Sequence, residues 1–258
     1  MTDPNHLLLR AMWGGRPDPL EANVDRMWEC LNRVTAHGSF FGAPWHTTGR
    51  PERIVTITSR ETLAAVMLRT REMGDGSPDV FTQRTPGRGD RPPFAHISAQ
   101  LSVGRGYNTV VANDVLVRIG TDLFESSLPV ETVRWLLGIG AELVEDMVDA
   151  WQPDAASLDS VELVGIARQL GLRGAYPVIG YVSWLSGAVM DAGAAPAAPL
   201  RRACRGGTLL GIDPASADPL GDATELALRV YSSGRLRTVP VVQGQSDPEP
   251  GPPVGGGR

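Results

Sequence analysis

The sequence predicts an α+β fold: a mixed, mainly antiparallel sheet with several packed amphipathic helices. Three observations carry this. Short apolar or alternating runs of strand length recur along the chain, separated by Gly- and Pro-rich punctuation. Longer segments between them place apolar residues at steps of three and four, the period of a helix with one buried face. Apolar residues make up 42% of the 258 positions, enough for a sizeable core.

Taken in order, His6 to Trp13 suits a largely buried strand, broken by Gly14-Gly15. Asp18-Pro19-Leu20-Glu21 then starts a helix, with Asp18 as cap, Pro19 at the first helical position and Glu21 completing a capping box. Leu20, Val24, Met27, Leu31 and Val34 form its apolar face, and Gly38 ends it. Arg53 to Thr58 is a short extended segment. Thr58 and Glu61 cap a second helix, with Leu63, Val66 and Met67 on its inner face. Gly74 to Pro93 reads as a long loop.

Phe94 to Val103 alternates as a strand, with Ile97, Ala99 and Leu101 on one side and Ser98, Gln100 and Ser102 on the other. Thr109 to Ala112 and Val115 to Ile119 are further strand candidates. One long helix is expected from Pro129 to Trp151, then a linker or turn from Gln152 to Ser160. Val161 to Leu170 fits strand or helix. Val178 to Leu185 and Thr208 to Ile212 read as strands. A last helix begins at Asp218-Pro219 and stops at Gly234, and Val239 to Val242 reads as a final edge strand. Leu7 to Leu20 and Thr208 to Leu220 share the order strand, loop, Asp-Pro-Leu, helix. Two pseudo-related halves would give that order, but three identical residues do not distinguish it from chance. Residues 1–243 are read as a single domain, and 244–258 as a disordered Pro/Gly-rich tail.

Composition removes several classes of chemistry. All 24 basic residues are arginine. Without lysine there is no Walker A phosphate lysine, no Schiff base and no Ser-Lys hydrolase site. The four histidines, His6, His37, His46 and His96, are scattered, with no metal-type pair at helical spacing. No Gly-x-Ser-x-Gly elbow occurs, and Gly104-Arg105-Gly106 and Gly138-Ile139-Gly140 lack the third glycine of a dinucleotide loop. No catalytic residue, metal or cofactor is therefore expected. No run approaches the ~20 apolar residues of a membrane span. The N-terminus lacks the features of a signal peptide, and the two cysteines, Cys30 and Cys204, sit far apart. A cytoplasmic protein with reduced thiols is the expectation.

Charge is unevenly spread. Between Asp122 and Glu162 ten acidic side chains face one base, Arg134, a net of −9, whereas the whole chain is −5. Projected at ~100° per residue, Glu131, Glu142, Glu145, Asp146 and Asp149 form one stripe. Val133, Leu136, Leu137, Leu143, Val144, Met147, Val148 and Trp151 lie opposite. Trp135 falls on the acidic side, which suits a binding hot spot or a residue covered by a neighbouring element. Like charges at i,i+3 and i,i+4 cost a helix a few tenths of a kcal/mol each. A solvent-facing stripe of one sign points to a basic partner, not to nucleic acid or membrane.

The order of landmarks resembles a bacterial polymorphic-toxin immunity family, immunity protein 52. The carrying residues are Trp13-Gly14-Gly15-Arg16, the helix with Trp28 and Cys30, Ile97-Ser98-Ala99-Gln100-Leu101, Asn108-Thr109-Val110-Val111, Ile179-Gly180-Tyr181-Val182-Ser183-Trp184-Leu185 and Gly207-Thr208-Leu209-Leu210. The resemblance spans about residues 7 to 242. A Cys-Gly pair expected after the Ile97 strand is here Val103-Gly104, and the region from Pro129 to Ile179 has no distinctive match. The resemblance implies an α+β protein that binds and blocks a cognate toxin, commonly one with a restriction-endonuclease-like nuclease domain. It transfers no catalytic residues. Trp13, Gly14, Arg16, Gly180, Trp184, Gly207 and Thr208 are then family-motif positions of structural weight. An enzyme with a site around Trp13, Arg16 and the Gly207-Thr208 loop is the alternative, and a non-catalytic scaffold protein is a third.

Overall fold

β1 (Leu7–Trp13) lies in the middle of a sheet of ten strands, and six of its seven residues are buried. The computed structural model describes residues 6–14, 19–41, 44–48, 53–73, 79–84, 96–102, 113–120, 128–172 and 174–240. In chain order the remaining strands are β2 (Trp45–Thr47), β3 (Thr56–Ile57), β4 (Asp79–Arg84), β5 (His96–Ser102), β6 (Asn113–Gly120), β7 (Ala155–Ser160), β8 (Val182–Ser186), β9 (Leu200–Cys204) and β10 (Gly207–Gly211). The helices are α1 (Leu20–Ala36), α2 (Arg60–Met73), α3 (Val130–Gly138), α4 (Gly140–Trp151), α5 (Val161–Gln169) and α6 (Pro219–Ser232).

The sheet runs β3-β2-β4-β5-β6-β1-β7-β8-β10-β9. Every described pairing is antiparallel, so the α+β class holds and the sheet is not mixed. Helices cover both faces. Trp13 stacks on Trp151 of α4, with ring centroids 5.0 Å apart, so the Leu7, Leu9, Ala11 and Trp13 side of β1 faces α4, against which α1 packs. One residue along a strand reverses the side, so Leu8, Arg10 and Met12 face the layer of α5 and α6.

Local signals place most elements. Val24, Met27, Leu31 and Val34 are buried on α1, and Gly38 closes it at φ +97°. Asp18 lies outside the described residues, and Pro19 is the N-cap. The α2 cap is Ser59, whose Oγ accepts from Thr62 N–H at 3.3 Å, in place of the expected Thr58. At α6 the Asp218 carboxylate accepts from Gly221 N–H at 3.3 Å with Pro219 in the first turn, as the sequence predicts. Gly234 follows at φ +65°. On β5, Ile97, Ala99 and Leu101 are buried while Ser98 and Gln100 are half-buried, matching the predicted alternation.

Four expectations change and one left open is resolved. The helix predicted from Pro129 to Trp151 is two helices, broken at Ile139 (φ −98°, ψ 6°) between Gly138 and Gly140. Gly140 is where α4 meets the sheet: a Cβ there would lie 2.9 Å from Leu158 Cδ2. The linker expected over Gln152 to Ser160 contains β7, buried along its whole length between β1 and β8. Its sequence, Ala-Ala-Ser-Leu-Asp-Ser, has no β-branched residue, and only the flanking strands make it one. β4 falls inside the segment read as a loop. Val161 to Leu170, left open, is helical. Val239 and Pro240 are not in a strand; Val239 is buried and its N–H donates to Ala175 O at 2.8 Å. In each of the two segments sharing Asp-Pro-Leu a strand precedes a helix, but β1 is central and β10 lies next to the edge strand β9. The Thr109–Ala112 strand candidate and the tail lie outside the described residues.

Candidate functional site

The face assignment of the acidic segment is accurate. Val133, Leu136, Leu137, Leu143, Val144, Met147, Val148 and Trp151 are all buried. The other side differs from the sequence expectation of a solvent-facing stripe. Glu145, Asp146 and Asp149 keep only 16%, 22% and 27% of their side-chain exposure, because arginines from two distant segments close over them. From α1, Arg33 donates to Asp146 Oδ1 at 3.0 Å and to Asp149 Oδ2 at 3.2 Å, while also pairing with Glu29. His37 Nε2 lies 2.6 Å from Asp146 Oδ2. From the other flank, Arg202 of β9 pairs with Glu145. Arg205, in the β9–β10 turn at φ +48°, pairs with Asp149 and reaches Glu145 Oε2 at 3.1 Å. The Asp149 carboxylate is the main reason the Arg205 guanidinium holds its proton more tightly than usual.

Three carboxylates and three guanidinium groups therefore form a seam that ties α4 to α1 and to the β9–β10 turn. The repulsion expected along the helix is offset inside the fold by these pairings. Their bases come from outside the acidic block, where the chain is net positive.

What stays open is a corner made by α3, the start of α4 and the short 3-10 turn Ser39–Phe41. Glu131 and Trp135 are exposed one helical turn apart on α3. Glu142 retains 70% exposure, with one carboxylate oxygen 3.8 Å from His37 Nδ1. Trp135 is 37% exposed, and its ring leans on Phe40 (centroids 5.3 Å) and buried Phe41 (5.9 Å). The aromatic turn covers one side of the Trp135 ring and leaves the rest exposed. Arg134 is exposed on the same helix. The sequence did not single out Phe40 or His37. Phe40-Phe41 after the helix-ending Gly38 was the available signal.

The motif positions have structural roles. Trp13 is buried against Trp151. Gly14 N–H donates to Asp154 Oδ2 at 2.8 Å, locking the end of β1 to the start of β7. A Cβ on Gly180 would sit 2.2 Å from Leu158 O, so only glycine permits that backbone approach. Trp184 Nε1 donates to Cys204 O at 2.7 Å across the ladder, and a Cβ on Gly207 would strike the Trp184 ring at 2.6 Å. Thr208 is buried. Arg16 lies outside the described residues. Trp13 is core and the Gly207-Thr208 pair is sheet packing.

On the opposite face, Asp159 of β7 is fully buried. Its Oδ2 accepts from Ser157 Oγ at 2.7 Å, and Oδ1 has no partner. Burial pushes its carboxyl up to about 6, against the attraction of Arg10 and the Ser157 hydroxyl. The folded state thus holds a proton that the unfolded chain, at 3.8, releases sooner. Stability from this group is full below pH 4 and is lost as pH rises to about 6. Asp159→Asn is expected to flatten that slope and to gain up to about 3 kcal/mol at pH 7.5. Urea unfolding of both proteins between pH 4 and 8 measures it.

Among the described residues, no helix is long and apolar enough to cross a membrane, and no group of three or more His, Cys, Asp or Glu is placed to hold a metal. No family model matches the sequence, and comparison with curated proteins gives no match. Among solved structures the chain is similar to a Pseudomonas aeruginosa T6SS protein, PA0821, at 12% identity and a TM-score of 0.45, covering 90% of this chain and 77% of that one. No residue role is carried over from it. The resemblance to the immunity protein 52 family rests on the sequence landmarks alone.

Proposed function

We propose that this chain is a non-catalytic immunity-type protein that binds and neutralises a cognate toxin in the cytoplasm of the cell producing it. A nuclease with a basic surface, of the restriction-endonuclease fold, is the partner that the family landmarks and the overall negative charge favour. The observation that carries the reading is Trp135, a large aromatic packed on Phe40 and Phe41 yet 37% exposed, with exposed Glu131 one turn before it on α3 and exposed Glu142 in the first turn of α4. Rigid exposed tryptophans are typical anchors of protein interfaces, and rim carboxylates steer a basic partner. The docking surface is this corner and not the whole stripe, because Glu145, Asp146 and Asp149 are already paired within the chain.

That choice alters the informative variant. Reversing Asp146 would break the contact with Arg33 and confuse folding with binding. Glu131→Arg plus Glu142→Arg leaves the seam intact. Against the toxin encoded beside this gene, the double variant is expected to slow association by about ten-fold at low salt, with little change in dissociation. Surface plasmon resonance at two ionic strengths separates the two rates. Unchanged association at low salt, together with full protection of cells expressing the toxin, would remove this corner from the interface.

A further inference from the structure

A second feature lies on the other side of the sheet. In the middle of β1, where Leu8 and Met12 are buried, the side chain between them is Arg10. Its cross-strand neighbours are Leu116 on β6 and Ser157 on β7. Its Nε is shielded from water and has no hydrogen-bond partner. Asp159 attracts it, yet the free Asp159 oxygen is unpartnered as well, so the two do not bond. A shielded guanidinium donor left unmet is costly, and an apolar side chain of similar volume would commonly hold such a position more stably. A buried unsatisfied donor in a native fold calls for a reason.

The surroundings supply one. Arg10 lines an open cleft of about 560 Å³ between the sheet and α5, within the 300–1,000 Å³ typical of small-molecule sites. α5 presents Val164 and Arg168, one turn apart, to the cleft, and the chain after the helix returns with Leu172, Tyr176 and Val178 to form the other wall. Arg168 is exposed. Among the described residues the cleft therefore has two guanidinium groups, an aromatic ring and an apolar lining.

We infer that this cleft binds a small oxyanion, a carboxylate or phosphate, attached to an apolar or planar body. The planar forks of Arg10 and Arg168 match such an anion in geometry and charge. The body of the ligand would lie against Val164, Leu172, Val178 and the Tyr176 ring. The inference does not depend on the toxin-binding reading, whose surface is on the α4 side of the sheet.

Calorimetric titration of the intact chain in low salt tests it, with phenyl phosphate, benzoate, inorganic phosphate and benzyl alcohol as probes. Phenyl phosphate or benzoate should bind, and the tighter of the two identifies the anion class. Inorganic phosphate should bind more weakly than phenyl phosphate, and benzyl alcohol should not bind measurably. Arg168→Gln, a change at an exposed position, should weaken the better probe at least about ten-fold. Arg10→Met should abolish binding while leaving the melting temperature equal or higher. Failure of both aromatic anions to bind would overturn the assignment. So would equal affinity for benzyl alcohol, undiminished affinity in Arg168→Gln, or a lowered melting temperature in Arg10→Met.

Discussion

Trp151→Ala is expected to destabilise the protein by about 3–5 kcal/mol, the range for removing a fully buried aromatic side chain. Trp151 is completely buried at the end of α4 and stacks on Trp13 at the end of β1, with planes 20° apart. Alanine would leave a void where α4 packs on β1, and would remove the stacking with it. Equilibrium denaturation reads the loss directly. A second readout comes from Cys30, whose Sγ lies 3.6 Å from Met147 Sδ. Burial pushes its thiol up to about 12, against a hydrogen bond with Trp151. In the wild type Cys30 should resist thiol reagents, because the thiolate is the reactive form, while half-buried Cys204 reacts. In Trp151→Ala both should react. A variant that loses less than about 1 kcal/mol, with Cys30 still protected, would show that the tryptophan pair is not the anchor described.

Trp135→Ala carries the other large effect, this time on binding. If the corner of α3, Phe40 and Glu142 is the docking surface, truncation should weaken toxin binding by about 2 kcal/mol or more, roughly thirty-fold. The change should appear mainly in dissociation, in contrast to the charge reversals at Glu131 and Glu142. Trp135 is partly exposed, so its loss should cost the fold far less than the loss of Trp151. Wild-type affinity in a folded Trp135→Ala protein would exclude the corner as the binding hot spot.

The two tryptophans show where sequence reading succeeded and where it stopped. Trp151 and its seven apolar companions were assigned to the inner face correctly, because helical periodicity is a local property. The break at Ile139 left that assignment intact. Strand β7 was not legible, since Ala155 to Ser160 has no strand pattern of its own and is held by pairing with β1 and β8. The candidate cleft was equally hidden. Arg10 is an ordinary arginine in the sequence, and only its place between Leu116 and Ser157, facing Arg168 and Tyr176, distinguishes it.

The acidic segment marks the boundary most clearly. By itself the sequence determined the α+β class, the inner and outer faces of α3 and α4, and which side chains form the stripe. Only the tertiary structure decided what the stripe does. Arg33 is 113 and 116 positions from Asp146 and Asp149, and Arg202 and Arg205 are 57 and 56 positions from Glu145 and Asp149. Electrostatic pairing depends on distance in space, which periodicity along one helix does not report. The fold converts three of the five stripe carboxylates into internal ties and leaves Glu131 and Glu142, beside Trp135, facing outward.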